Sequence, residues 1–245
     1  MLPAIEEGGV LRWTMRDETP VRVEPGFWLI AAVYAFVFLP LVNALSFLLW
    51  LALALVLFAS ILLHELAHKR AARLEGAGCE RIEIGAYGGL AWIDDLSGEA
   101  RSRMLIAGPL TNAALGLALL GLWWAWIAVF GDDRGPFYRR SVMRPYQIAD
   151  LLRAAWILNF GFAAVNMMPC YPLDGAGIVE EWLARRRSRR KARRIVAASG
   201  IVLAVGGTIL FLLSIPTVAF GGAIVFLPFN GPANVEVWDE NAPPI

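Results

Sequence analysis

Nothing constrains the fold of this chain more than residues 46–74, an apolar run that closes on Lys69, Arg70 and Arg73. A hydrocarbon core about 30 Å thick needs about 20 residues rising about 1.5 Å each, so runs of 18 or more apolar residues read as membrane-spanning helices. Residues 26–42, 98–130, 151–168 and 195–213 are further such stretches, and 217–229 is a shorter one that fits a sixth span or a re-entrant segment. The chain is 58% hydrophobic and 18% charged, with its apolar residues gathered into blocks rather than spread as in a soluble domain. These features predict an all-α polytopic membrane protein of about six transmembrane helices, with the lipid bilayer as a partner and no nucleic acid.

The last third of the first-named run carries His64, Glu65 and His68, and His64 and His68 are the 2 histidines of the chain. Positions i and i+4 share a helix face, so both imidazoles can serve one Zn²⁺ with Glu65 beside it as general base. The competing reading is a pair of core or surface histidines next to a chance glutamate. Lys69 stands five positions after His64, which puts His64 about 7 Å inside the first of the closing charges and hence below the lipid surface.

Two further stretches interrupt the apolar pattern. Residues 76–95 alternate polar and apolar side chains at Arg81, Ile82, Glu83 and Ile84 before Gly85, Gly88 and Gly89, which suits a small membrane-associated β-hairpin or edge strand, or else a glycine-rich loop. Residues 166–175 break the fourth span with Pro169 and Pro172, and neither proline can continue a helix. Freed backbone groups there must be met by protein or a wet cavity. Asp174 lies in this break. Intramembrane carboxylates are costly and mark function by default, with a structural hydrogen bond as the alternative. A third protein ligand would complete a zinc site that keeps one position open, and Asp174 supplies it. Cys79 and Cys170 lack a C-x-x-C partner and read as free thiols, with Cys170 an ordinary small apolar residue.

Charge sets the orientation. Between residues 185 and 194 every position except Ser188 and Ala192 is basic, and this block falls on the same side as Lys69, Arg70, Arg73, Arg81, Arg101 and Arg103. Arg134, Arg139, Arg140 and Arg144 form a minority on the other side. The predicted topology has a cytoplasmic N-terminus, a cytoplasmic 185–194 loop and a zinc site toward the cytoplasmic half. The expected organisation is a polar cytoplasmic leader at 1–26, partly disordered and without a signal peptide, a membrane-embedded domain at 27–230 and a short tail at 231–245.

Three motifs in order carry a family resemblance: H-E-x-x-H at residues 64–68, G-P-x-x-N at 108–112, and N-x-x-P-x-x-P-x-D-G at 166–175. Through them the chain resembles the site-2 protease family of intramembrane zinc metalloproteases over about residues 45–185. The resemblance implies His64, His68 and Asp174 as ligands of one Zn²⁺ per chain, Glu65 as catalytic base and Asn166 as a substrate or intermediate contact. It places Gly88, Gly89 and Leu90 on a membrane-associated strand, which makes Gly88 and Gly89 substrate-contact candidates. Asn112 fits either a substrate contact or a tie between helices. Many family members carry a PDZ or CBS domain; neither is expected here, since the polar connection at 131–150 and the tail at 231–245 are too short for one. The implied substrate is a transmembrane segment of another protein, cut in regulated intramembrane proteolysis. The alternative is a non-proteolytic metal-binding membrane protein, a transporter or regulatory relative, although such a site has no need of a base at Glu65.

Overall fold

The computed structural model describes residues 3–38, 44–130 and 148–212. The chain runs β1 (Ala4–Ile5), β2 (Leu11–Thr14), β3 (Pro20–Val23), α1 (Pro25–Phe38), α2 (Ala44–Leu74), β4 (Cys79–Gly85), β5 (Gly88–Ile93), α3 (Gly98–Phe130), α4 (Ile148–Asn166), α5 (Asp174–Ala184) and α6 (Arg189–Leu212). It divides into two compact units: residues 1–67, 79–92 and 110–163 make the first, and residues 68–78, 93–109 and 164–245 the second.

The first unit holds a five-stranded sheet in the order β1-β2-β3-β4-β5. Neighbours β1–β2 and β2–β3 are antiparallel, whereas β3 and β4 are parallel, with Val21 opposite Ile82 and Val23 opposite Ile84. Parallel neighbours need a crossover, and α1 with α2 provides it. The four apolar partners are fully buried and pack on Phe27 and Ala31 of α1 and Ala54 and Leu57 of α2. Strand alternation therefore gives one face to the helices and the other to charge. On the polar face Arg12 and Arg22 lie opposite each other, a like-charge pairing that costs stability. Glu6 answers both, accepting from Arg12 at 2.7 Å and from Arg22 at 3.1 Å. The Arg12 bond first, then the Arg22 bond, holds the Glu6 carboxyl below its ordinary range.

The sheet bears on two expectations. Residues 4–23 form three strands where the sequence reading allowed a partly disordered leader, and the expected hairpin or edge strand is present as β4 and β5, continuous with those three strands. Pairing with Ile82, Glu83 and Ile84 organises the charged N-terminal residues.

Three described helices are long and apolar enough to cross a membrane: Phe47–Leu74 within α2, Gly98–Phe130 and Ile148–Asn166. Pro25–Ala35 is a shorter apolar helix. The structure thus supports a membrane protein with three candidate spans among the described residues, where the sequence reading expected about six. The polar connection at 131–147, the segment at 217–229 and the tail at 231–245 lie outside the described residues.

Local chemistry stops α2. Its end is a Schellman turn: the Ala77 N–H reaches the Ala72 carbonyl at 2.9 Å and the Gly76 N–H reaches Arg73 at 3.1 Å. Gly76 has φ 84°, the left-handed conformation that glycine adopts without strain.

The second unit has a small apolar cluster of Tyr171, Ala176 and Val196 and a larger ionic one. Glu180 and Glu181 on α5 are 1% and 2% exposed. Glu181 accepts from the Gly98 N–H at 2.9 Å, from Arg101 at 3.0 Å and from Arg189 at 2.7 Å. Glu180 accepts from the Tyr171 hydroxyl at 2.7 Å and from Arg193 at 3.0 Å. Buried carboxylates persist only when paired and bonded in this way. The effect is to clamp the start of α3, the 167–173 segment, α5 and α6 together.

Candidate metal centre

Helix α2 presents His64, Glu65 and His68 within five residues, and all three side chains are buried. The ring of His64 meets the Asn112 Oδ1 through Nδ1 at 2.6 Å, and the ring of His68 meets the Met104 carbonyl through Nδ1 at 2.8 Å. A carbonyl oxygen only accepts, so each Nδ1 carries the proton and donates it. That fixes the tautomer and presents Nε2 as the ligand atom of both rings.

Asn112 is itself held in one orientation. Its amide nitrogen donates to the Ser60 carbonyl at 3.3 Å and to Asn159 Oδ1 at 3.1 Å, while the Asn159 amide donates to the Ala155 carbonyl at 2.9 Å. Both asparagines are essentially fully buried. Two acceptors on the nitrogen side leave the oxygen side for His64.

Asp174 opens α5. Its Oδ1 lies 3.3 Å from His68 Nε2, and one ligand atom each from His64, His68 and Asp174 lie within 4.8 Å of one another. Gly175 follows it of necessity. A Cβ there would collide with the Met167 carbonyl and stand 2.5 Å from the Met168 carbonyl oxygen, so a side chain cannot follow the aspartate. Gly89 on β5 is similarly constrained, since a Cβ would stand 2.7 Å from the Glu65 carboxyl carbon. The edge strand thus runs against the candidate base.

The donor set fits zinc. Two imidazoles oriented through Nδ1 and one carboxylate could hold a metal ion as three protein ligands, and Glu65 is next to His64 on the same helix. Of the other sequence candidates, Asn166 ends α4 and is half-buried, with no side-chain hydrogen bond among the described residues, and Gly88 begins β5 at φ 119°. Asn112 has its carbonyl oxygen and both amide hydrogens engaged by protein. Sequence reasoning missed Asn159 and the Met104 carbonyl. An asparagine in the middle of apolar α4 was the available signal for the first; a backbone acceptor leaves none.

Helices long and apolar enough to cross a membrane, together with two histidines and a carboxylate that could hold a metal ion, are the features of an integral membrane metalloprotein. The comparisons agree. The model of peptidase family M50 matches residues 135–212, which include the Asp174 segment. A zinc metalloprotease of Methanocaldococcus jannaschii is 31% identical over 165 residues, covering 67% of this chain and 44% of that protein. The solved structure of a site-2 protease from the same organism matches with a TM-score of 0.63 at 25% identity, covering 96% of this chain and 99% of the solved one. The chain belongs to this family of M50 peptidases, the site-2 proteases, whose cofactor is Zn²⁺. It spans less than half the length of the curated relative.

Proposed function

We propose that the chain is an intramembrane zinc metalloprotease that cuts a transmembrane segment of another membrane protein, in regulated intramembrane proteolysis. The observation that carries this reading is the approach of His64, His68 and Asp174 to within 4.8 Å, with Glu65 on the same helix. His64, His68 and Asp174 hold the zinc, one per chain. Zinc bound there supplies Lewis acidity, polarising a peptide carbonyl and lowering the pKa of water toward neutrality. Glu65 takes the proton of the attacking water and returns it to the leaving amine. Asn166 donates its amide to the developing oxyanion. Asn112 acts through His64, whose ring it orients.

A substrate helix must unwind before it is cut, because its carbonyls are bonded internally. In hydrocarbon every freed group costs several kcal/mol unless a partner replaces the lost bond. Strand β5 ends the sheet, and its edge can pair with an extended substrate by strand addition. Gly88 and Gly89 then contact the substrate backbone, and Gly89 carries it past Glu65. The full membrane domain has about six spans, with the N-terminus and the 185–194 loop in the cytoplasm and the cut made in the cytoplasmic half. Glu65 weighs against a transporter or a non-proteolytic relative, which has no use for a base at that position.

The test is the cleavage rate of two reconstituted substrates that differ only in helix propensity at the cut site. A glycine-containing segment is cut faster than a leucine run, and equal rates count against unwinding. Labelling single cysteines in a background without Cys79 and Cys170 checks the topology. Reaction of the 185–194 loop from outside would overturn the assigned sidedness.

A further inference from the structure

The cations that open α6 fall into two sets. Arg189 and Arg193, one turn apart, point inward and pair with Glu181 at 2.7 Å and Glu180 at 3.0 Å. Arg190, Lys191 and Arg194 are exposed on the first turns of the helix, and Arg187, also exposed, stands two residues before it begins. Among the described residues, no carboxylate pairs with any of these four, whereas the neighbouring Arg185 reaches Glu99 at 3.3 Å.

The exposed set is unfavourable as it stands. A helix N-terminus carries about half a positive charge, and the first turn of α6 has no acidic residue to offset it. Glu180 and Glu181 answer only the inward pair. The outward set therefore calls for anions from outside this part of the chain.

Its place on the helix selects which anions. The exposed row that begins at Arg190 and Arg194 continues at Ala198 and Val202, and Val202 is 70% exposed. One outward face thus changes from cation to hydrocarbon over about 12 Å of helix, the distance from Arg194 to Val202. That is the profile of a helix passing from lipid headgroups into acyl chains. Trp182, 59% exposed on α5, is the residue type that anchors at this boundary.

We propose that Arg187, Arg190, Lys191 and Arg194 bind the phosphate-bearing headgroups of anionic phospholipids. The lipids act as counter-ions to the N-terminal end of α6, as Glu180 and Glu181 do on the inner side. An acidic protein segment is the poorer fit, because the same face continues into hydrocarbon.

Native mass spectrometry of the full chain in detergent, titrated with phosphatidylglycerol or phosphatidylcholine, tests the assignment. Each basic residue near an anionic surface shifts binding by about fivefold. The wild type therefore retains phosphatidylglycerol preferentially, and high salt weakens the preference. Replacing all four residues by glutamine lowers it about a hundredfold or more. The matched control replaces Arg134, Arg139, Arg140 and Arg144 by glutamine, which removes the same formal charge, and leaves the preference in place. Single substitutions in the exposed set each lower it by about fivefold, so the test does not depend on the quadruple variant folding. Equal retention of the two lipids by the wild type, an undiminished preference in these variants, or an equal loss in the control would each overturn the proposal.

Discussion

Replacing Asn112 by alanine separates the support of the zinc site from its ligands. The substitution deletes the acceptor 2.6 Å from His64 Nδ1 and the donors 3.3 Å from the Ser60 carbonyl and 3.1 Å from Asn159 Oδ1, all at a residue 1% exposed. Loss of a partner that orients a ligating histidine costs about 10- to 100-fold in metal affinity, or about 1.4 to 2.8 kcal/mol. Each buried group that loses its bond costs about a further 1 to 3 kcal/mol of stability. The second effect is the larger in total, so thermal unfolding must be followed beside metal binding. Asn112→Asp restores an acceptor for His64 but no donor for Ser60 or Asn159. It recovers zinc affinity while stability stays low. Chelator competition on the two purified variants gives the affinities. An alanine variant that is folded and binds zinc as tightly as wild type would refute the claim that Asn112 acts through His64.

Three more outcomes follow from the geometry. Gly89→Ala drives a Cβ against the Glu65 carboxylate, so proteolysis falls at least about a hundredfold while zinc content, read by metal analysis, is unchanged. Tyr171→Phe removes the hydroxyl that donates to buried Glu180 at 2.7 Å. It lowers stability by about 1 to 3 kcal/mol in a denaturation experiment. Burial alone would raise the Glu181 carboxyl, but bonds from Arg189, Arg101 and the Gly98 N–H outweigh it and hold the group below its ordinary value of 4.5. Its folded pKa is depressed, so its stabilisation is present above the unfolded value and is lost as pH falls through the folded one. The thermal midpoint of the wild type therefore drops more steeply on acidification below about pH 5 than that of Glu181→Gln.

The site was more legible in the sequence than the scaffold around it. Helical spacing alone puts His64 and His68 on one face, and the broken span singles out Asp174 because a carboxylate is rare in an apolar run. The sheet was hidden for the opposite reason. The segment that forms its N-terminal strands carries Glu6, Arg12, Arg16 and Arg22, which read as a polar leader, and β3 finds its partner only across α1 and α2. Such long-range pairing leaves no local periodic signal. Adjacent glutamates ordinarily face solvent, yet Glu180 and Glu181 are buried because Arg101, Arg189 and Arg193 converge on them. The basic block that marks topology therefore also neutralises the interior. Asn159 escaped notice because its partner Asn112 lies 47 residues away.

Zinc stoichiometry measured together with proteolysis on wild type, His68→Ala and Glu65→Gln bears most directly on the central claim. Wild type holds one zinc and cuts its substrate, His68→Ala loses both properties, and Glu65→Gln keeps the zinc without cutting. Full zinc occupancy in His68→Ala would contradict the ligand assignment, and turnover by Glu65→Gln would contradict its role as the base.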